Sequence, residues 1–395
     1  MQKQLCWGGL LIIVASLLMN GMNILVYSGY DNVTIQAVYG AGFTGLVLAA
    51  TIIHIAQSRR AGVFGLLAYL VSVLSLVYAN VVTFLILAEL SGIEGAQQTL
   101  AGIWEPLMRI SVYGIFVGWT LLGISIAQAG VLPRWAGILV AGGVAFQLPA
   151  QYAMEMAGSL FFLFTIGGSI LFGAGLIWIG WALWSGKGWQ REEPGLSNLD
   201  GNWGGLVVIF TGFMLAVDAS VNMFGGLSLA SGITHLVSYT TILLTAFLLY
   251  AAHGERASWA GFAGFLFAQL GAALYMITAF LVVAQLAGAI EDNRMLMATW
   301  EDIPVGRIGS YLVLLGMFLL GIEAILSQVF PRWTGWLVVV GIALALPFAF
   351  TIQAYYLGIF WVLGAALEGI GVAWMGWTLL SKRPADQIVQ LSFDA

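Results

Sequence analysis

Long apolar runs alternate with short polar segments along the whole chain. Each run has about 20 or more apolar residues, enough for an α-helix to cross the hydrocarbon core of a bilayer. The runs lie roughly at 5–28, 36–57, 61–90, 107–130, 134–153, 158–184, 204–227, 231–252, 257–288, 306–329, 332–352 and 355–381. The pattern predicts twelve transmembrane helices joined by short loops.

The second half of the chain repeats the first. The segment 131–149 returns at 329–347, and Trp7-Gly8-Gly9-Leu10 returns as Trp203-Gly204-Gly205-Leu206, with an offset of 196 or 198 residues. We therefore expect a first six-helix repeat at 1–185, a cytoplasmic linker at 186–202, a second repeat at 203–383 and a cytoplasmic tail at 384–395. Because six is even, both copies enter the membrane from the same side, which predicts parallel repeats related by a pseudo-two-fold axis.

Composition places the chain among membrane proteins. Hydrophobic residues make up 61% of it and charged residues 8%, whereas a soluble domain carries about 25% charge. The expected fold class is an all-α polytopic membrane protein. The net charge of −5 predicts no binding to nucleic acid, and the single cysteine, Cys6, excludes an internal disulfide and any cysteine-based metal cluster.

The basic residues predict the orientation. If both termini are cytoplasmic, ten basic residues face the cytoplasm and only Arg109, Arg294 and Arg307 face outward, which satisfies the positive-inside rule. We expect a multi-pass protein of a bacterial inner membrane.

One motif begins two of the predicted helices. Pro-Arg-Trp-x-Gly occurs at 133–137 and 331–335. Proline suits a first helical turn, and Arg134, Trp135, Arg332 and Trp333 suit the membrane interface as anchors. A specific lipid or regulatory contact is the alternative. The motif resembles one in uncharacterised bacterial six-span membrane proteins, of which this chain would be a tandem duplication; the resemblance implies a fold and no activity.

The predicted spans contain few ionisable groups. Asp218, Glu323 and Glu368 stand out, all in the second half, because a carboxylate at the bilayer centre is costly and normally faces a wet cavity or the bundle interior. Asn222 lies one turn after Asp218, and Asn20 and Asn23 lie near each other on the first span. Polar groups that simply hold the bundle together are an equally good interpretation.

The predicted topology is similar to that of the major facilitator transporters, in which spans 1, 4, 7 and 10 line the central cavity. That resemblance implies a proton and substrate cavity formed by Asp218, Glu323, Asn222, Asn20 and Asn23. Glu368 fits it less well, since span 12 would be peripheral. The family's loop motif between spans 2 and 3 is largely missing, because this loop reads AQSRRAG and lacks the aspartate.

Two further sets of residues are candidates. Glu105 with Arg109 and Glu301 with Arg307 begin spans 4 and 10, where a short ion pair could fix the outer loop or gate a substrate. His54 and His253 fall near the cytoplasmic ends of equivalent helices and are possible ligands for a haem or chlorin, although ordinary hydrogen bonding is the simpler interpretation. No other cofactor and no metal site is implied.

The sequence contains no catalytic constellation, so an enzyme is the least supported class. The leading hypothesis is a secondary transporter of a small or amphipathic solute, whose transport could be coupled to protons. The alternative is a non-transporting membrane subunit or scaffold that binds partner proteins, lipid or pigment.

Overall fold

The structure, a computed structural model, is helical throughout the part of the chain that it describes. It describes residues 2–30, 32–93, 96–152, 159–187, 198–225, 228–287, 298–299, 301–350 and 358–381. The helices are α1 (Gln2–Tyr27), α2 (Val33–Leu90), α3 (Ala96–Ala129), α4 (Arg134–Tyr152), α5 (Ser159–Ser185), α6 (Asn198–Gly225), α7 (Leu229–His253), a 3-10 helix (Gly254–Arg256), α8 (Trp259–Leu286), α9 (Val305–Ser327), α10 (Arg332–Phe350) and α11 (Gly358–Ser381).

Ten helical segments within these residues are long and apolar enough to cross a membrane. The expected class, a helical membrane-type protein, is confirmed at this level. The other two predicted spans form α4 and α10, which have 19 residues each. At 1.5 Å per residue such a helix is about 28 Å long, close to the roughly 30 Å of the hydrocarbon core. Twelve crossings therefore remain a prediction.

Helix α2 contains two spans rather than one. Val33–Ser58 and Arg60–Leu90 each have the length and hydropathy of a membrane span. Gly62, two residues after the start of the second segment, has a φ of 57° and interrupts the helical path of α2. Glycine suits this position because a side chain would strain a left-handed backbone. At the equivalent place in the second half, the 3-10 helix separates α7 from α8.

The described helices belong to two compact units. Unit 1 comprises residues 1–195 and 269–313, and unit 2 comprises residues 196–268 and 314–395. These units differ from the repeats expected from the sequence, because part of α8 and part of α9 lie in unit 1. The linker expected at 186–202 lies mostly outside the described residues, and the tail at 384–395 lies wholly outside them. The division into two six-helix repeats therefore stays a prediction.

In unit 1, glycines bring helix backbones together. Gly9 of α1 lies against Gly180 of α5, and Gly143 of α4 lies against Gly168 of α5, so that a methyl group at any of these positions would meet a neighbouring backbone. Small residues allow this approach in a membrane, where packing rather than water exclusion holds helices together. A second buried layer consists of apolar side chains from α2, α3 and α8: Val81, Val82, Phe84, Leu85, Ala88, Ala96, Ile277, Leu281 and Ala284.

Unit 2 uses the same device. Gly205 of α6 lies against Gly376 of α11, and Gly341 of α10 lies against Gly364 of α11. These positions are the partners, at offsets of 196 or 198 residues, of the glycine contacts in unit 1. The tight contacts fix α6 against α11, and α6 carries the carboxylate described next.

Candidate functional site

Asp218 is held near the end of α6 by a residue one turn further on. Its side chain is buried, with 6% of the residue exposed. Asn222 Nδ2 donates to the Asp218 carbonyl oxygen at 2.7 Å and to Asp218 Oδ1 at 2.9 Å. The structure thus brings together the two residues that helical spacing placed on one face.

His235 of α7 completes a cluster with these two residues. Its Nδ1 lies 2.6 Å from Asp218 Oδ1 and 3.2 Å from Asn222 Nδ2. The His235 ring also meets the Tyr239 ring edge-on, with centroids 5.9 Å apart. Nδ1 donates to the carboxylate when it carries the hydrogen, because a carboxylate oxygen only accepts; the 3.2 Å contact with Asn222 Nδ2 is then a close approach of two donors and not a hydrogen bond.

Sequence reasoning did not select His235 as a site residue. A local signal exists: Asp218 lies seven residues before the end of α6 and His235 six residues after the start of α7, which places them level across the turn. The start of α7 is fixed by Ser228 and Ser231, which bond each other's backbone N–H groups. A well-capped second helix then presents His235 to Asp218.

The cluster can hold a proton in two forms. With the proton on His235, the pair is an imidazolium and a carboxylate. If the proton moves to Asp218, both side chains are neutral. If the proton leaves the pair, His235 is neutral and Asp218 is a carboxylate anion. The side-chain exposures are 18% for His235 and 8% for Asp218. A buried pair is costly to form in a membrane, and ionisable groups retained there commonly belong to proton or ion pathways.

Glu323 of α9 is fully buried and lies elsewhere in unit 2. Its carboxylate accepts from Ser258 N at 2.9 Å, from Gly261 N at 3.2 Å and from the Ser258 hydroxyl. These donors lie at the start of α8, where backbone N–H groups lack helical partners and the helix dipole favours an anion. Glu323 therefore caps α8.

The structure does not bring Asp218 and Glu323 together. Asp218 contacts His235 near the start of α7, whereas Glu323 contacts Ser258, just beyond the end of α7. The 18 residues from His235 to His253 span about 27 Å of helix. The two carboxylates therefore belong to opposite ends of α7, and the cluster at Asp218 is the site that the geometry defines.

Glu368 of α11 is also buried, with 6% exposed. It lies where α11 meets α10, and a methyl group on Gly341 would touch its backbone. Glu368 shares neither the cluster at Asp218 nor the cap at Ser258. Its role as a cavity residue stays a prediction.

Asn20 and Asn23 make hydrogen bonds within unit 1. Asn20 Nδ2 donates to the Ser16 carbonyl oxygen at 2.7 Å. Asn23 Oδ1 accepts from the Tyr39 hydroxyl of α2 at 2.7 Å. Asn20 thus bonds within α1, whereas Asn23 ties α1 to α2, and no carboxylate joins them among the contacts of the described residues.

The proposed outer gate falls partly outside the described side chains. The Glu105 side chain is among those not described, and Arg109, Glu301 and Arg307 are exposed. The gate stays a prediction.

The anchors lie at helix starts. Arg134 and Arg332 are the first residues of α4 and α10. Both arginines, with Trp135 and Trp333, are exposed, as an interfacial position requires.

His54 and His253 each have ring partners of their own. The fully buried His54 ring stacks on Tyr69 at 4.8 Å. His253 Nδ1 lies 2.6 Å from the Leu249 carbonyl oxygen, and its ring meets Phe330 edge-on. Among the described residues, no group of three or more His, Cys, Asp and Glu side chains could hold a metal ion. Ligation of a haem or chlorin is untested.

The apolar helices are consistent with an integral membrane protein. Comparison of the chain with family models, curated proteins and solved structures finds no match. Function must therefore be argued from the cluster itself.

Proposed function

We propose that the protein is a proton-coupled secondary transporter of a small or amphipathic solute, with Asp218 and His235 as its proton-binding pair. The observation that supports this most directly is the 2.6 Å contact between His235 Nδ1 and Asp218 Oδ1 inside a membrane-type helix hairpin. The proposal includes the parallel six-helix repeats expected from the sequence. It assigns Glu323 to helix capping rather than to coupling.

The pair suits a proton carrier because its two forms make different demands on neighbours. A charged carboxylate attracts both His235 and the Asn222 amide, whereas a protonated carboxyl needs an acceptor for its own hydrogen. Loading a proton therefore changes the force that holds α6 to α7. This change couples proton binding to the position of α6 relative to α7, because a proton shifts a conformational equilibrium only when it binds the two conformations with different affinity.

Proton binding can be tested before any solute is known. Infrared difference spectra of the purified protein, recorded across a pH titration, should contain a carboxyl C=O band that Asp218→Asn removes. His235→Gln should move the pH at which that band changes. Ser220→Ala is the matched control, because Ser220 lies on α6 two residues away and its hydroxyl donates to the Ala216 carbonyl oxygen. A band unchanged by Asp218→Asn would overturn the proton-binding role.

Transport itself is tested in proteoliposomes that contain a pH dye. Under an imposed pH gradient, a solute panel should reveal one class of solute that accelerates acidification of the lumen, and Asp218→Asn should abolish that acceleration while Ser220→Ala retains it. Acceleration that survives in Asp218→Asn would contradict coupling through this pair.

The alternative function is a non-transporting membrane subunit in which the pair is a fixed tie between α6 and α7. The low exposure of Asp218 favours it, since a static tie needs no access to water. The two functions separate in the titration: a static tie holds one protonation state throughout, and a stable partner should then co-purify from the native membrane.

A further inference from the structure

A cavity of about 430 Å³ lies in unit 1, beside α2. Both arms of α2 and the middle of α8 form its walls. The residues that line it include Gly40, Ala41, Thr44, Asn80, Thr83 and Leu274. The volume falls within the range of about 300–1,000 Å³ that is usual for small-molecule sites.

One wall of this cavity contains a buried donor without an acceptor. Asn80 is 3% exposed, and its Nδ2 makes no hydrogen bond to any residue that the structure describes. The Thr44 hydroxyl, which donates to the Gly40 carbonyl oxygen at 3.0 Å, also lies 3.3 Å from Asn80 Oδ1 and holds the amide against that side of the cavity. An unmade hydrogen bond on a buried amide is costly, so a partner for Nδ2 would stabilise the site.

The remaining walls define what such a partner can be. No acidic or basic residue is among the described residues that line the cavity, so these walls offer nothing to balance a charge. Ala37 and Ala41 are exposed at its edge, and Thr44 lies eleven residues into α2, or about 16 Å along the helix. A cavity at that depth of a membrane-spanning helix is reached from the lipid by apolar molecules.

We propose that this cavity binds a neutral, mostly apolar molecule with one carbonyl or ether oxygen, which accepts a hydrogen bond from Asn80 Nδ2. The inference does not depend on the proton-binding pair, which lies in unit 2. It defines a ligand class by one acceptor oxygen, an apolar body and no charge.

Equivalent positions of the second half show that the small walls are particular to unit 1. At an offset of 196 residues, Leu236, Val237 and Met276 stand in place of Gly40, Ala41 and Asn80. These residues are larger or lack the amide. Gly40→Leu introduces the residue of the equivalent position in the second half and should fill the cavity. A methyl group on Gly40 would meet only the Thr83 methyl, at an ordinary contact distance of 3.4 Å, so the substitution is compatible with the helix.

Benzophenone is a suitable probe, because it combines two apolar rings with one carbonyl oxygen and inserts into nearby C–H bonds under ultraviolet light. The full-length protein in lipid nanodiscs is irradiated with benzophenone, and labelled peptides are identified by mass spectrometry. We expect labelling to concentrate in peptides that contain 36–48 and 80–87. Asn80→Leu should reduce it about three- to tenfold, as expected for loss of one hydrogen bond, and Gly40→Leu should remove it.

Competition keeps the test independent of the variants. 2-Undecanone and dodecane have equal numbers of heavy atoms, and only the ketone has an acceptor oxygen, so the ketone should protect these peptides at a several-fold lower concentration. Thr51→Val is the control variant, since Thr51 is buried on the same helix but does not line the cavity; it should label like the parent protein. Labelling spread over the lipid-facing helices, equal protection by the alkane, or full labelling of Gly40→Leu would overturn the proposal.

Discussion

Three buried carboxylates of the second half stand at positions where the first half carries a neutral residue. Ser125 lies beside Gly65, and at offsets of 198 and 196 residues Glu323 lies beside Gly261. Asp218 corresponds to Met22 at the 196-residue offset. Asn23, one residue after Met22, forms a neutral hydrogen bond with Tyr39 that joins α1 to α2, whereas Asp218 and His235 join α6 to α7. Tyr39 and His235 are themselves equivalent at the 196-residue offset.

A third pair of positions shows the same difference. Trp119 and Phe172 meet edge-on at 5.1 Å in unit 1, and their counterparts in unit 2 are Met317 and Glu368. In the described part of the first half, the helices thus pack without a buried carboxylate. The same glycine contacts occur in both halves, so this packing does not by itself require carboxylates. The role of each carboxylate in the second half must therefore be read from its own contacts.

The largest expected effect comes from removing the capping carboxylate. Glu323→Leu leaves the Ser258 and Gly261 donors unpaired in a fully buried place, and we expect it to lower the free energy of unfolding by about 3–5 kcal/mol. Ser125→Ala, the matched change in the first half, should cost less than about 1 kcal/mol, because among the described residues the Ser125 hydroxyl is hydrogen-bonded only to Gln57, at 3.4 Å. The heat-induced loss of helical circular dichroism in detergent, compared between the two variants, measures the difference. Equal losses would show that Glu323 is not a cap.

Hydropathy predicted the helical class and the spans well, because burial in lipid depends on composition over about 20 residues. It could not distinguish a proton site from a cap. Asp218 and Glu323 look alike as isolated carboxylates in apolar runs, and their roles depend on the partners His235 and Ser258. Ser258 is 65 residues from Glu323, and no local spacing connects them. Asn222, only four residues from Asp218, was found by helical periodicity alone.

A tighter glycine contact in the second half gives the next effect in size. Ser16 of α1 donates to the Gly173 carbonyl oxygen at 3.2 Å, and the equivalent pair in unit 2 is Gly212 and Gly369. A side-chain carbon on Gly212 would collide with the Gly369 carbonyl oxygen and the Ala373 backbone. Gly212→Ser should therefore destabilise the protein by about 1–3 kcal/mol, although serine is the residue that the first half tolerates.

The reverse change provides the control for that glycine contact. Ser16→Gly removes a single hydrogen bond and one side chain without creating a collision, so it should cost no more than about 1.5 kcal/mol. Both variants are compared by thermal melting under identical detergent conditions. If Gly212→Ser melts no lower than Ser16→Gly, the Gly212–Gly369 contact has room for a side chain, and it is not tighter than the Ser16–Gly173 contact.

The smallest expected effect on stability, with the largest consequence for function, comes from making the second half resemble the first. Asp218→Asn with His235→Tyr replaces the ionisable pair by an amide and a phenol, the two groups that Asn23 and Tyr39 pair in the first half. The phenol then stands at the position equivalent to Tyr39, and the amide one residue before the position equivalent to Asn23. Replacing both partners of a buried pair is often close to neutral, because no charge is left alone, so we expect a change of less than about 1 kcal/mol. Asp218→Ala alone should cost more, since it leaves His235 and Asn222 facing an empty place. The titrating carboxyl band and solute-driven acidification should both disappear in the double variant while its melting temperature holds. A double variant that melts normally and still acidifies the lumen would place the proton pathway elsewhere. Glu368 would then be the residue to substitute next, because it is the third buried carboxylate among the described residues and belongs neither to the cluster at Asp218 nor to the cap at Ser258.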